Sequence, residues 1–198
     1  ASSYGFPRFS VDPDVVIPQS SLSFFHQVLS LQGFTKSKEN SDLAYSGAFE
    51  RHEKGLVSIY LLINAVDSRQ TGYSYPFSYI NANAKVRQIS GWDPSHIARA
   101  RVATKEMLIA LKLHSLRDAD KRDIIMLCYQ PPEVASIVQH LRGGPKNILL
   151  DHIHDLQAIL DDSHFKDSLK GVYSVDTRVF EKATKNCRHA LEQISAQL

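Results

Sequence analysis

Apolar positions along this chain recur with two different periods, and the change between them falls near residue 91. In the front part the most conspicuous run is Leu56-Val57-Ser58-Ile59-Tyr60-Leu61-Leu62-Ile63, short, β-branched and aromatic, and preceded by His52-Glu53-Lys54-Gly55. Such a run after a Gly-containing turn predicts a β-hairpin, with Leu43 to Arg51 pairing with Leu56 to Asn64. Because the second strand is apolar on both faces, it is expected to be central. Ser41-Asp42-Leu43-Ala44 also resembles a helix start, which is the competing reading for the first strand. Ahead of the hairpin, Leu22, Phe24, Phe25, Val28, Leu29 and Leu31 supply a helix with Ser20 or Ser21 as cap and Gly33 as its left-handed stop. Residues 1–20 carry Pro7, Pro13 and Pro18 and few periodic apolar positions, so they are read as an extended N-terminal arm. Tyr73 to Ile80, after a turn at Asp67 to Gly72, is read as an edge strand, since Pro76 cannot donate to a ladder.

After Gly91-Trp92 the period becomes helical. Asp93-Pro94 has the form of a helix start with Pro at the first position and predicts a long helix to about Leu113. Further helices are expected over Asp118 to Tyr129, Glu133 to Leu141, Asn147 to Leu160, Ser163 to Lys170 (stopped by Gly171) and Asp176 to Leu198. The fold class that follows is α+β, with a small antiparallel sheet of hairpin plus edge strand in front and a helical back portion of about five helices. With no linker composition and no repeat, residues 21–198 read as a single compact domain with an α+β sub-region at 21–91 and a helical sub-region at 92–198.

Composition narrows the class. Of 198 residues 43% are hydrophobic and 22% charged, which argues against intrinsic disorder, and no apolar stretch reaches the roughly 20 residues of a membrane span. Two cysteines, Cys128 and Cys187, make no disulfide framework; both fall in helical patterns and read as reduced thiols packed like small hydrophobes in a cytoplasmic compartment. The chain begins Ala1-Ser2-Ser3 without a basic and apolar leader, so no uncleaved targeting signal is expected.

Charge is close to balanced, with 23 Lys+Arg against 21 Asp+Glu, yet it is unevenly placed. Lys85, Arg87, Arg99, Arg101, Lys105, Lys112 and Arg117 face only Asp93 and Glu106 within their segment, whereas residues 148–168 hold five aspartates against Lys166. On a continuous helix Arg101, Lys105 and Lys112 fall within about 40° of one another and make one basic stripe. That stripe suits phosphates or an acidic protein surface; the plainer reading is internal pairing with the acids of 148–168. Beside it, Tyr73, Tyr75, Phe77 and Tyr79 alternate with Ser74, Pro76 and Ser78, so an extended backbone sets four rings on one face. Such a row can stack bases or grip a peptide, while core packing is the commoner fate of aromatic rings.

Other features carry less. His152-Ile153-His154 would share a face on a strand and bind a metal, but Leu149, Ile153, Leu156 and Leu160 place it on a helix where the two rings diverge. The Gly143-Gly144 turn lacks the spacing of a phosphate loop. Glu50, His52 and Glu53 are expected at an exposed turn, as solvated groups. No catalytic motif, metal site or cofactor site is identified. The function expected is therefore non-enzymatic macromolecule binding, as an interaction or assembly protein with a protein partner or self-association. The alternative is a single-stranded nucleic-acid (RNA-binding type) protein in which Tyr73, Tyr75, Phe77 and Tyr79 stack bases and Lys85, Arg87, Arg101, Lys105 and Lys112 hold phosphates. An enzyme with an unrecognised site is the third class.

Overall fold

The structure is a computed structural model that describes residues 2–6, 12–37, 49–90 and 97–198. It is a mixed α and β fold. Contacts divide it into two units, one made of residues 9–67 and 74–82, the other of 1–8, 68–73 and 83–198.

The first unit is built on a four-stranded sheet. Its strands are β1 (Asp14–Ile17), β2 (Thr35–Lys36), β3 (Phe49–Lys54) and β4 (Val57–Ile63), in the order β1-β4-β3-β2. The expected hairpin is present as β3–β4, and β4 is central. Its turn is tighter than the sequence suggested: Lys54 pairs with Val57, and Gly55, at φ +58°, opens the two-residue loop. Residues 43–48 of the expected first strand lie outside the described residues. The remaining strands enlarge the expected front sheet: β1 runs parallel to β4, with Val15 opposite Leu61 and Ile17 opposite Ile63. The N-terminal segment is thus partly a strand instead of an extended arm, because Val15-Val16-Ile17 is a short β-branched run able to cover the open edge of β4.

Helix α1 (Leu22–Leu31) packs on the face of the sheet that carries Val15, Ile17, Ile59 and Leu61. It does so through Leu22, Phe25 and Leu29, positions three and four apart. Half of its apolar residues point elsewhere, with Phe24, Val28 and Leu31 exposed. A short β5 (Ala65–Asp67) pairs with β6 (Ser74–Pro76), which leads directly into α2 (Phe77–Ala82). Asn64, at φ +67°, makes the bend between β4 and β5; its side-chain oxygen accepts from the Gln19 amide at 2.8 Å.

The second unit begins with a two-stranded ribbon, β7 (Ala84–Ser90) against β8 (Ile97–Ala103). This corrects the long helix expected from Asp93 to Leu113. Arg99 and Arg101 alternate with Ala98, Ala100 and Val102, a period of two that only a strand satisfies; Asp93-Pro94 lies outside the described residues. Helix α3 (Lys105–Ser115) starts only after Thr104, whose hydroxyl accepts from the Met107 amide. It is followed by α4 (Asp118–Leu127), α5 (Val134–Leu141), α6 (Lys146–Ile159), α7 (Ser163–Tyr173) and α8 (Thr177–Gln197). Gly171 does not stop α7, which runs on to Tyr173 and ends with Ser174 in the left-handed region. The buried Tyr173 ring anchors that last turn, outweighing the cost of about 1 kcal/mol of a helical glycine. These helices enclose one core, at whose centre lie Leu113, Ile124, Ile137, Leu149, Ile153 and Leu191. Cys128 and Cys187 are free thiols buried in it, and the Cys187 thiol is pushed up by the Cys128 hydrogen bond and by burial.

Charge is also buried here. The Lys112 ammonium lies 2.8 Å from an Asp120 oxygen and 2.6 Å from an Asp123 oxygen. Asp120 further accepts from the Ser115 hydroxyl and the Arg117 side chain, and Asp123 from the Tyr173 hydroxyl. Although burial opposes it, this set of donors holds the Asp120 carboxyl down at about 2. Removing the cation leaves two carboxylates desolvated and unneutralised. Lys112→Ala is expected to destabilise the chain by about 3–5 kcal/mol in urea unfolding; a loss within 1 kcal/mol, as for an exposed pair, would contradict the burial of this pairing.

Candidate nucleic-acid interface

The ribbon and the cleft at its base gather most of the cations that the sequence singled out. Cross-strand pairing sets Lys85 with Val102 and Arg87 with Ala100 on one face, and Val86 with Arg101 and Gln88 with Arg99 on the other. Each face thus carries two cations, and the described ribbon residues include no acid. Lys85, Arg99 and Arg101 are exposed and Arg87 is half-buried. Arg101 donates to the Ala84 carbonyl at 3.0 Å, which lays its guanidinium across the strands.

At the base of the ribbon, Lys85, Arg87 and Lys105 line a cavity of about 290 Å³ together with Tyr4, Phe6 and Tyr129. The Arg87 guanidinium sits 3.9 Å from the centre of the Tyr4 ring, and the Tyr4 hydroxyl donates to the Ala103 carbonyl at 2.7 Å. The Arg87 Nε is buried without a hydrogen-bond partner, so the Tyr4 ring face is what offsets its desolvation. Lys105 donates to the carbonyls of Gln130 and Pro131, both at 3.0 Å, and among the described residues Glu106 is the only carboxylate in the cavity wall.

The basic stripe expected along one helix does not exist, since Arg101 is on β8 while Lys105 and Lys112 are on α3. Lys112 is turned inward to Asp120 and Asp123. Two of the acids of 148–168 are used otherwise: Asp161 pairs with Arg188 at 2.8 Å, and Asp162 caps α7. The aromatic row is broken as well. The extended stretch ends at Pro76 because Phe77 opens α2, and the four rings do not share a face. Tyr75 is buried and stacks on Tyr79 with ring centres 6.0 Å apart. Phe77 is half-buried on α2. Tyr73 belongs to the other unit, where it stacks on His114 at 4.8 Å and donates to the Arg142 carbonyl. His152, on α6 as expected, has its Nδ1 2.6 Å from the Leu113 carbonyl oxygen.

Sequence reasoning missed one set of groups. Glu50 and His52 are not at an exposed turn: the hairpin loop is displaced to Gly55-Leu56, so both stand mid-strand on the inner face of β3, and His52 is only 4% exposed. There His26 of α1 joins them, giving three groups able to ligate a metal. The parity of Glu50 and His52, two apart on a strand, was a readable signal; the arrival of His26 was not. No helix among the described residues is long and apolar enough to cross a membrane. Comparison of the chain with protein-family models, curated proteins and solved structures finds no match.

The burial of His114 has a measurable consequence. Its ring is fully enclosed, with Nδ1 2.8 Å from the Thr71 hydroxyl, and burial together with the His152 charge lowers its pKa to about 4. The unfolded chain therefore takes up this proton at a higher pH than the folded one. The contribution is present above about pH 6.5 and is lost as pH falls from there towards 4. Thermal unfolding is expected to show the midpoint dropping through that window. The drop is expected to be smaller in His114→Phe; an equal drop in that variant would contradict the assignment.

Proposed function

We propose that this chain binds a nucleic-acid backbone through the β7–β8 ribbon. The observation that carries the reading is the charge pattern: two cations on each face of a two-stranded ribbon with no acid among its described residues. A ribbon inserted in a nucleic-acid groove meets phosphates on both walls, so cations are needed on both faces. Seven residues per strand span roughly 24 Å at about 3.4 Å per residue, enough to follow a groove. With Tyr75 and Tyr79 stacked on each other, base stacking on the 73–79 row loses its support, and a duplex is favoured over a single strand.

Four phosphate contacts give a slope of about −3.6 for log K against log salt on a labelled duplex. The double substitution Arg99→Ala with Arg101→Ala is expected to bring it to about −1.8. A flat salt dependence, or an unchanged slope in the double variant, would remove the ribbon as the binding surface.

A second reading has its own support. Both outer edges of the ribbon are unpaired among the described residues, and Val86 and Ile97 are 62% and 57% exposed. An edge of this kind favours pairing with the ribbon of a second copy, the assembly role. Sedimentation would then show a mass that rises with protein concentration and falls back to the monomer in Val86→Lys; a monomer throughout rejects it.

A further inference from the structure

The unit without the ribbon holds a different chemistry. The sheet face under α1 is apolar at Val15, Ile17, Ile59 and Leu61, yet Glu50 and His52 stand on that same face, opposite Leu61 and Ile59 in register. Helix α1 brings His26 to them, because it follows Leu22 and Phe25 and precedes Leu29 on the buried stripe. Both imidazoles aim Nε2 at one carboxylate oxygen, Glu50 Oε2, at 2.5 Å from His26 and 3.1 Å from His52. The other oxygen, Oε1, is held by Lys36 at 2.7 Å, which fixes the carboxylate plane and leaves Oε2 for the imidazoles.

We propose that His26, Glu50 and His52 form a binding site for one borderline divalent cation of the Zn²⁺ class. Two imidazole nitrogens and one carboxylate oxygen are the ligand set that Zn²⁺ and neighbouring transition metals take, and one that Ca²⁺ and Mg²⁺, which prefer all-oxygen shells, do not. All three ligand atoms lie within 4.8 Å of one another. Around Zn²⁺, bonds of about 2.0–2.1 Å set tetrahedral ligand atoms roughly 3.3 Å apart. His52 is already near that separation from Glu50; His26 has to withdraw from Glu50 by less than about 1 Å while swinging towards His52, no two of the three ligand atoms being more than 4.8 Å apart. His26 is the side chain with room to do so, being 41% exposed against 5% for His52.

The proton inventory is consistent with this exchange. An ionised carboxylate has no proton to give, so each Nε2 facing it carries one. A cation entering between them takes the place of those protons, which pass to Nδ1 or to water. Three protein ligands leave the fourth position to water on the side of His26. Among the described residues Lys36 is the cation paired with this carboxylate; it is half-exposed and touches the oxygen that the metal does not use.

The test is titration of the full chain with Zn²⁺ by calorimetry, and with Co²⁺ by visible absorption. One tight site per chain is expected, with Ca²⁺ giving no heat at the same concentration. His26→Ala and Glu50→Gln, both folded by circular dichroism, are each expected to weaken that site by at least about tenfold. His26 is chosen over His52 because truncating the buried ring risks the fold. Absence of a tight Zn²⁺ site, an affinity in either variant equal to that of the unsubstituted chain, or equal binding of Ca²⁺ would overturn the proposal.

Discussion

A buried charge has to be neutralised, and in this chain that requirement falls on Lys112. Its ammonium is clamped between Asp120 and Asp123 where α3 and α4 meet. Arg117 and Ser115 complete the shell of Asp120, and Tyr173 reaches Asp123 from α7. Three helices are thereby tied through one polar point inside an apolar core. The registry of α3 against α4 is thereby tied by ion pairs and hydrogen bonds as well as by hydrocarbon packing.

That clamp also withdraws Lys112 from the surface. The basic block from residue 85 to 117 divides in two. Lys112 and Arg117 are committed to Asp120, and Lys105 to the carbonyls that follow α4. Lys85, Arg87, Arg99 and Arg101 stay on the ribbon, which emerges just before the Thr104 cap of α3. Tyr4, packed under Arg87, ties the foot of the ribbon to the helical unit. The near-zero total charge is consequently no guide to the surface, since part of the positive charge is spent inside while the described ribbon residues carry a single sign.

What the sequence revealed followed the length of its periodic segments. The helices from Asp118 onward were legible because each combines a cap with several turns of period 3.6, as in Asp176 before Phe180, Ala183, Cys187, Leu191 and Ile194. The β3–β4 hairpin was legible from its β-branched run. Strand β8 was misread because Asp93-Pro94 mimics a helix start, and that local signal outweighed the alternation of Ile97 to Ala103. The aromatic alternation at 73–79 was a true period of two that the backbone does not follow past Pro76. Glu50 and His52 were misjudged through a loop misplaced by a few residues, and their meeting with His26 depends on how α1 lies across the sheet, which no local pattern encodes.

The ribbon is the surface proposed to meet a polyanion. Hydrogen–deuterium exchange of the full chain, with and without a short duplex at low salt, tests this most directly. Protection confined to residues 84–90 and 97–103, with the α5–α8 amides unchanged, is the predicted result. Protection elsewhere, with the ribbon amides exchanging as before, would contradict it.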